Sequence, residues 1–451
     1  MQSKLNSKLI LVSACLLAIL ISGCLFGQAA VVSTDTPSTS PTESPSTEAP
    51  SPTMLPAPID SLEVVFVNNG NLLVWDAATQ QTRTIVNTGD VFSATVSDDG
   101  QAIAFTRRSW VGDGLEGYEQ YALWTVDRVG GNPRELVSAQ DLRQRVSPSD
   151  RESSNFYQLG WVPNSHQLIF SGTKYIVQAE GLSHAIPQGA YLVDTDSGSV
   201  SVLADAGENL RFLPSPDGKQ VALMSPSSLG FINIDGSNKR QDVLTYTEVG
   251  LTGPLFPTGV WAQDSRAFVV TGSFERDPEF NTNFSFLRVP LDGSSPEALA
   301  AVTSSQPGSV TFSPNGKSAS YIQWTNQQSS SNAEWFITSL IPETGALTLP
   351  NYGMVNSYAN LHWSPAGDAY AINDQGLARL CPNATKDSQV CGEPIPLGDG
   401  IITELQWVDA SRFIFESIEP YSLSLGNIDG TLTPIVTGSD KLSDWDFINT
   451  N

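Results

Sequence analysis

Histidine and basic side chains are scarce in this chain. Three histidines stand among 451 residues, and 23 lysines and arginines face 47 aspartates and glutamates, for a formal charge of −24. So acidic a surface repels nucleic acid and anionic headgroups, so no nucleic-acid partner is expected. It also keeps an exported protein soluble. His166, His184 and His362 show no metal-ligand spacing, and no metal or cofactor is expected. The G-x-S-x-G nucleophile elbow is missing. Asp194-Thr195-Asp196-Ser197-Gly198 resembles the start of a calcium loop but lacks the distal glutamate, so it reads as a hairpin turn. No linear motif names a catalytic residue.

Long apolar runs are equally rare. The one such run, residues 9–21, follows Lys4 and Lys8 and precedes Ile21-Ser22-Gly23-Cys24. It is too short to span a bilayer and has the layout of a secretory signal. Small residues before a cut at Cys24 resemble the lipobox of bacterial lipoproteins. That resemblance implies cleavage after residue 23, acylation of Cys24 and an exported protein lipid-anchored to a bacterial membrane outside the cytoplasm. Cys15 also follows small residues, but a cut there would leave almost no apolar segment. Residues 24–60 are dominated by Ser, Thr and Pro without apolar period and read as a disordered tether. The expected organisation is therefore signal 1–23, tether 24–60 and one folded domain over 61–451.

That domain repeats itself. Ser215-Pro216-Asp217-Gly218 is a tight turn between apolar runs, and looser copies begin at Ser97, Val162, Ala262, Ser313, Ser364 and Val408. Pro fixes φ, Asp and Asn bond locally, and Gly supplies positive φ, so each copy predicts a β-hairpin. A second strand-turn-strand signal follows in most units, such as "YLVDTDSGSVSVL". Four strands at a period of roughly 44 to 65 residues predict propeller blades, each with strands a to d. Residues 63–86 supply three strands without an a-strand, and the C-terminal "KLSDWDFINTN" supplies an a-strand without followers. The last strand should complete the first blade and close the ring, giving eight blades; seven is the alternative. Trp161, Trp261, Trp363 and Trp407 share one position before the turn, Trp445 can be placed there too, and all read as core.

The Ser-Pro-Asp-Gly turn followed by "KQVAL" or "QAIAF" resembles the TolB-like propeller repeat, also found in the propellers of prolyl-oligopeptidase-type enzymes. The resemblance covers nearly all of 61–449 and implies an all-β propeller fold. The small α/β domain of TolB and the hydrolase domain of the peptidases have no counterpart here.

Insertions concentrate in the b–c and d–a connections, at 107–118, 139–155, 172–189, 273–282 and 324–332, which antiparallel strands place on one face. Elaborated connections on a rigid scaffold suit binding. Arg107, Arg108, Arg143, Arg145 and Arg151, with Trp110, Tyr118, Tyr175 and His184, are the candidate ligand-binding residues there. Arginines among aromatic rings suit carboxylates, phosphates or sugar acids, although arginines balancing nearby acids give the same pattern. Cys381 and Cys391 flank a c–d loop and should form a disulfide. The expected function is a lipid-anchored scaffold or binding protein of the cell envelope, with a protein, peptide or glycan partner on the elaborated face. The alternative is a propeller glycosidase or lyase acting on polysaccharide.

Overall fold

In the b-strand "QVALM" of Gln220–Met224, four consecutive side chains are buried. An unbroken apolar run can be buried on both sides only if its sheet is covered on both faces. The architecture supplies that cover. This structure, a computed structural model, describes residues 62–113, 117–146, 153–177, 183–245, 256–276, 282–304, 310–324, 333–341, 360–374, 376–382, 391–398, 400–418, 421–438 and 442–449. Eight antiparallel sheets follow one another along the chain. Seven have four strands; the sixth shows three among the described residues. The protein is an eight-bladed β-propeller.

Blade 1 joins Leu442–Asn449 (a), Leu62–Asn68 (b), Asn71–Asp76 (c) and Gln81–Val86 (d). The late strand pairs antiparallel with the early one, placing Trp445 opposite Phe66 and Phe447 opposite Val64. The ring thus closes as its sequence predicts. One detail differs. The other tryptophans pair with the second residue of their b-strands, as Trp161 does with Leu168 and Trp407 with Phe413. In blade 1 the b-strand begins one residue earlier, so its counterpart of Leu168 is the third residue, Val64; its partner is Phe447, and Trp445 lies two residues earlier in the closing strand. The closing strand has its own register.

Packing has the same periodicity as the sheets. Each of eight apolar clusters draws its residues from two neighbouring blades. Alternate side chains of one strand enter different clusters: Val221 and Leu223 pack toward blade 3, Ala222 and Met224 toward blade 5. Several tryptophans also tie blades by hydrogen bonds. Trp261 Nε1 donates to Leu213 O at 2.9 Å, and Trp407 Nε1 to His362 O at 3.0 Å. Outer d-strands such as "QTRTIV" are largely exposed.

The repeated turn is explained at atomic level. Ser215 Oγ donates to Asp217 Oδ1 at 2.6 Å, and the Gln220 N–H donates back to Ser215 Oγ at 3.0 Å. Gly218 has φ +68°, and an added Cβ would lie 2.5 Å from Pro163 O of the preceding blade. The turn therefore needs glycine for its conformation and for the close approach of its neighbour. A disulfide joins Cys381 to Cys391 across the c–d connection of blade 7.

Candidate functional site

The b–c connection of blade 2 is a ribbon, where the sequence suggested a loop. Strand b runs Ala102–Val111 and strand c Tyr118–Asp127, so Arg107, Arg108 and Trp110 stand on a strand and Tyr118 begins one. The same holds in blades 3 and 5, where the insertions lengthen paired strands. The 139–155 segment is likewise corrected: it holds a helix, α1, over Ala139–Val146. Ser138 caps it, with Oγ accepting from the Asp141 N–H at 3.1 Å. Leu142 and Val146 are buried in the apolar cluster between blades 2 and 3. Gly172 allows this fit, since a Cβ there would meet Val146 Cγ1 at 1.9 Å.

Each of the four predicted arginines that the structure describes engages a partner of its own. Arg107 pairs bidentately with Asp90, at 2.8 Å for Nη2, and lies over the Trp124 ring. Arg108 pairs with Glu119 at 3.3 Å and lies over Phe92. Arg143 lies 4.2 Å from the centroid of Tyr118, and Arg145 lies 4.9 Å from that of Tyr191. Each is engaged with its own ring or acid. Arg151 lies outside the described residues, as does Cys24. Tyr175 and His184 are placed by backbone alone, on facing strands of blade 3, where Tyr175 pairs with Ala185 and His184 with Ile176.

The structure does bring Arg108 and Trp110 together. They line a groove of about 610 Å³ with Asp90, Phe92, Glu119 and Ser443, between blades 1 and 2 on the face of the b–c and d–a connections. The Trp110 side chain is 57% exposed in spite of its size.

Two further places on the propeller carry charge that no local motif announced. At the inner strands of blades 8 and 1, Glu404 neighbours Asp444 and Asp446. Burial pushes the Asp444 carboxyl up to about 7, with the nearby Asp446 and Glu404 charges adding to the effect. Burial raises Asp446 as well. Both are held by the inner strand of blade 2, Val91–Val96: the Ala94 N–H donates to Asp444 at 3.0 Å and the Val96 N–H to Asp446 at 2.8 Å. On the opposite face, a cavity of about 1120 Å³ spans blades 1 to 3. There the nearly buried Glu63 accepts from Arg128 Nε at 2.7 Å and Arg83 Nη2 at 3.2 Å. His166 sits at its rim, 3.0 Å from Asp99, and that hydrogen bond raises its basicity. His362 is the reverse case, buried in blade 7 with its ring pushed down to about 4 and hydrogen-bonded to Asn373.

No protein-family model matches the chain, and no curated protein resembles it in sequence. Solved structures do resemble it. Dipeptidyl peptidase 4 of Porphyromonas gingivalis is 16% identical over 78% of this chain and 54% of its own, with a TM-score of 0.49. The chain therefore spans about half the length of that enzyme. The β-propeller domain of the Trilobed protease from Pyrococcus furiosus is 11% identical over 78% of this chain and 100% of that domain, at a TM-score of 0.44. An oligogalacturonate lyase in complex with manganese is 14% identical over 67% of this chain and 79% of its own, at 0.40. Likeness at this level says nothing of substrate or partner.

Proposed function

We propose that the protein is a binding module, anchored outside the cytoplasm by lipid on Cys24 and carried on its Ser/Thr/Pro tether. It takes an envelope protein, peptide or glycan on the face of the b–c and d–a connections. The observation that carries this reading is Trp110, a large aromatic held exposed on a paired strand beside Arg108, over a formed groove. Exposed aromatics with arginine are the residues that anchor interfaces. A strand holds them with little entropy left to lose on binding.

The test is capture from the native host after mild cross-linking. Trp110→Ala and Arg108→Ala should lose the partner while melting like the wild type; undiminished capture by both would sink the reading. Removing 139–155 is a poor control, because Leu142 and Val146 belong to the core. The anchor has its own assay: Cys24→Ser should move the protein from the membrane fraction to the soluble one.

A second reading, an enzyme acting on polysaccharide, draws on Asp444 and Glu404. A carboxyl with a value near 7 suits proton donation at neutral pH. It is the weaker reading, because Asp444 already accepts backbone N–H groups from Ala94 and Trp445, one on each oxygen.

A further inference from the structure

The inner strands of blades 3 to 6 hold a feature that is independent of Trp110. Phe156–Trp161, Arg211–Pro214, Gly259–Trp261 and Thr311–Phe312 all contribute to one cavity of about 460 Å³. Residues from four consecutive innermost strands can share a cavity only at the central axis. Those that line it come mainly from the starts of these strands, so it opens toward the b–c and d–a connections. Phe212, Met224 and Phe312 give it apolar walls.

One cation lies in this lining. Arg211 Nη2 donates to Tyr157 Oη at 3.1 Å. Its guanidinium carbon lies 4.9 Å from the Phe256 ring centroid and 5.9 Å from that of Tyr157. Among the described residues no carboxylate pairs with it, whereas Arg83, Arg107, Arg108, Arg128 and Arg412 each have one. Arg145 and Arg240 also lie over rings with no carboxylate partner among the described residues, but neither lines this cavity. A second observation points the same way. Thr258 lines the same cavity, and its buried Oγ1 has no hydrogen-bond partner among the described residues. Leaving a buried hydroxyl unpaired is unfavourable. The setting is also rigid: Gln158 bonds both the carbonyl and the N–H of Phe212, which fixes the strand of Tyr157 against that of Arg211.

We propose that this cavity binds a carboxylate borne on an aromatic or aliphatic body. The N–H groups that Arg211 does not give to Tyr157 suit a planar anion, and a turn of the unpartnered Thr258 hydroxyl about χ1 would let it donate to the same group. Apolar walls with a few convergent polar groups are the usual form of a small-ligand site, and this volume is at the small end of that range. A single cation matches a monoanion better than a phosphate dianion. Blade 8, with Glu404, stands opposite blade 4 in a ring of eight and opposes further negative charge. Two sources share this chemistry, a free carboxylic acid and the C-terminal carboxylate of a peptide.

Calorimetry on the purified protein tests it with 3-phenylpropionate, its amide, and the tripeptide Ala-Ala-Phe with free and amidated ends. A carboxylate probe should bind with a Kd of about 1 mM or tighter. Its amide, and the Arg211→Gln variant, should bind about tenfold more weakly or worse. Thr258→Val should weaken binding while melting no lower than the wild type. Trp110→Ala should bind unchanged, which separates this site from the outer groove. Tighter binding of the free tripeptide assigns the site to a chain end; tighter binding of phenylpropionate assigns it to a free acid. Failure of both carboxylates to bind at about ten times that concentration overturns the proposal. Equal affinity in Arg211→Gln overturns it as well.

Discussion

Asp444 and Asp446 are the residues whose charge is most at odds with their surroundings. Both lie on the closing strand, both are largely buried, and both take hydrogen bonds from the inner strand of blade 2. Burial lifts Asp444 from an ordinary 3.8 to about 7, and Glu404 adds a like charge nearby. A carboxyl whose folded value is raised binds more protons in the native state than in the unfolded chain. The fold therefore gains from this group as pH falls from 7 toward 4, and loses that gain as pH rises through 7. His362 acts in the opposite sense. Its folded value is lowered from 6.5 to about 4, so acid in that window favours unfolding. Comparing the wild type with Asp444→Asn cancels the histidine and isolates the carboxyl. Between pH 4.5 and 8 the wild type should lose on the order of 3 kcal/mol relative to the variant in urea unfolding. Parallel pH profiles would show that Asp444 is ionised without penalty.

At the scale of the element, the hairpin turn is the unit that local chemistry specifies. Gly218 and Gly198 separate its two requirements. Both have positive φ, but an added Cβ meets Pro163 O at Gly218 and open space at Gly198. Gly198→Ala should cost about 1 kcal/mol, the conformational term alone. Gly218→Ala should cost about 2–3 kcal/mol, because the neighbouring blade must also give way. Equal losses by chemical denaturation would mean that the turn does not brace the blade before it. The same contrast explains what could be read from the chain. Ser215, Asp217 and Gly218 bond to one another within a few residues, so the blade repeat was legible, as was the Cys381–Cys391 bridge. The ribbon of Arg107 to Tyr118 and the helix carrying Arg143 and Arg145 were mistaken for loops. Their polar, aromatic sequences lack the apolar alternation of a half-buried strand. Arg211, Tyr157 and Thr258 were not singled out at all. They belong to three blades and meet only once the ring has formed, so no spacing in the sequence records their proximity.

For the whole molecule, closure decides whether the blades form one body. Leu442–Asn449 covers the edge of Leu62–Asn68, a strand whose first six residues are buried. Ending the chain before residue 442 should expose that edge and the apolar face beneath it. Size-exclusion chromatography should then show larger species, and the melt should broaden. A synthetic peptide of residues 442–451 supplied in trans should restore part of both. A truncated chain that stays monomeric with a sharp melt would mean that neighbouring blades suffice without the latch.

The same latch sets a clock. Phe66 is made among the first residues of the domain and Trp445 among the last, yet they are partners. Blade 1 must wait with an open flank while seven others are synthesised, and its completion requires contacts of very long sequence separation, which form slowly. Through that interval the edge of Leu62–Asn68 has no pairing strand. The final click of the ring certifies that every blade between the two partners has arrived.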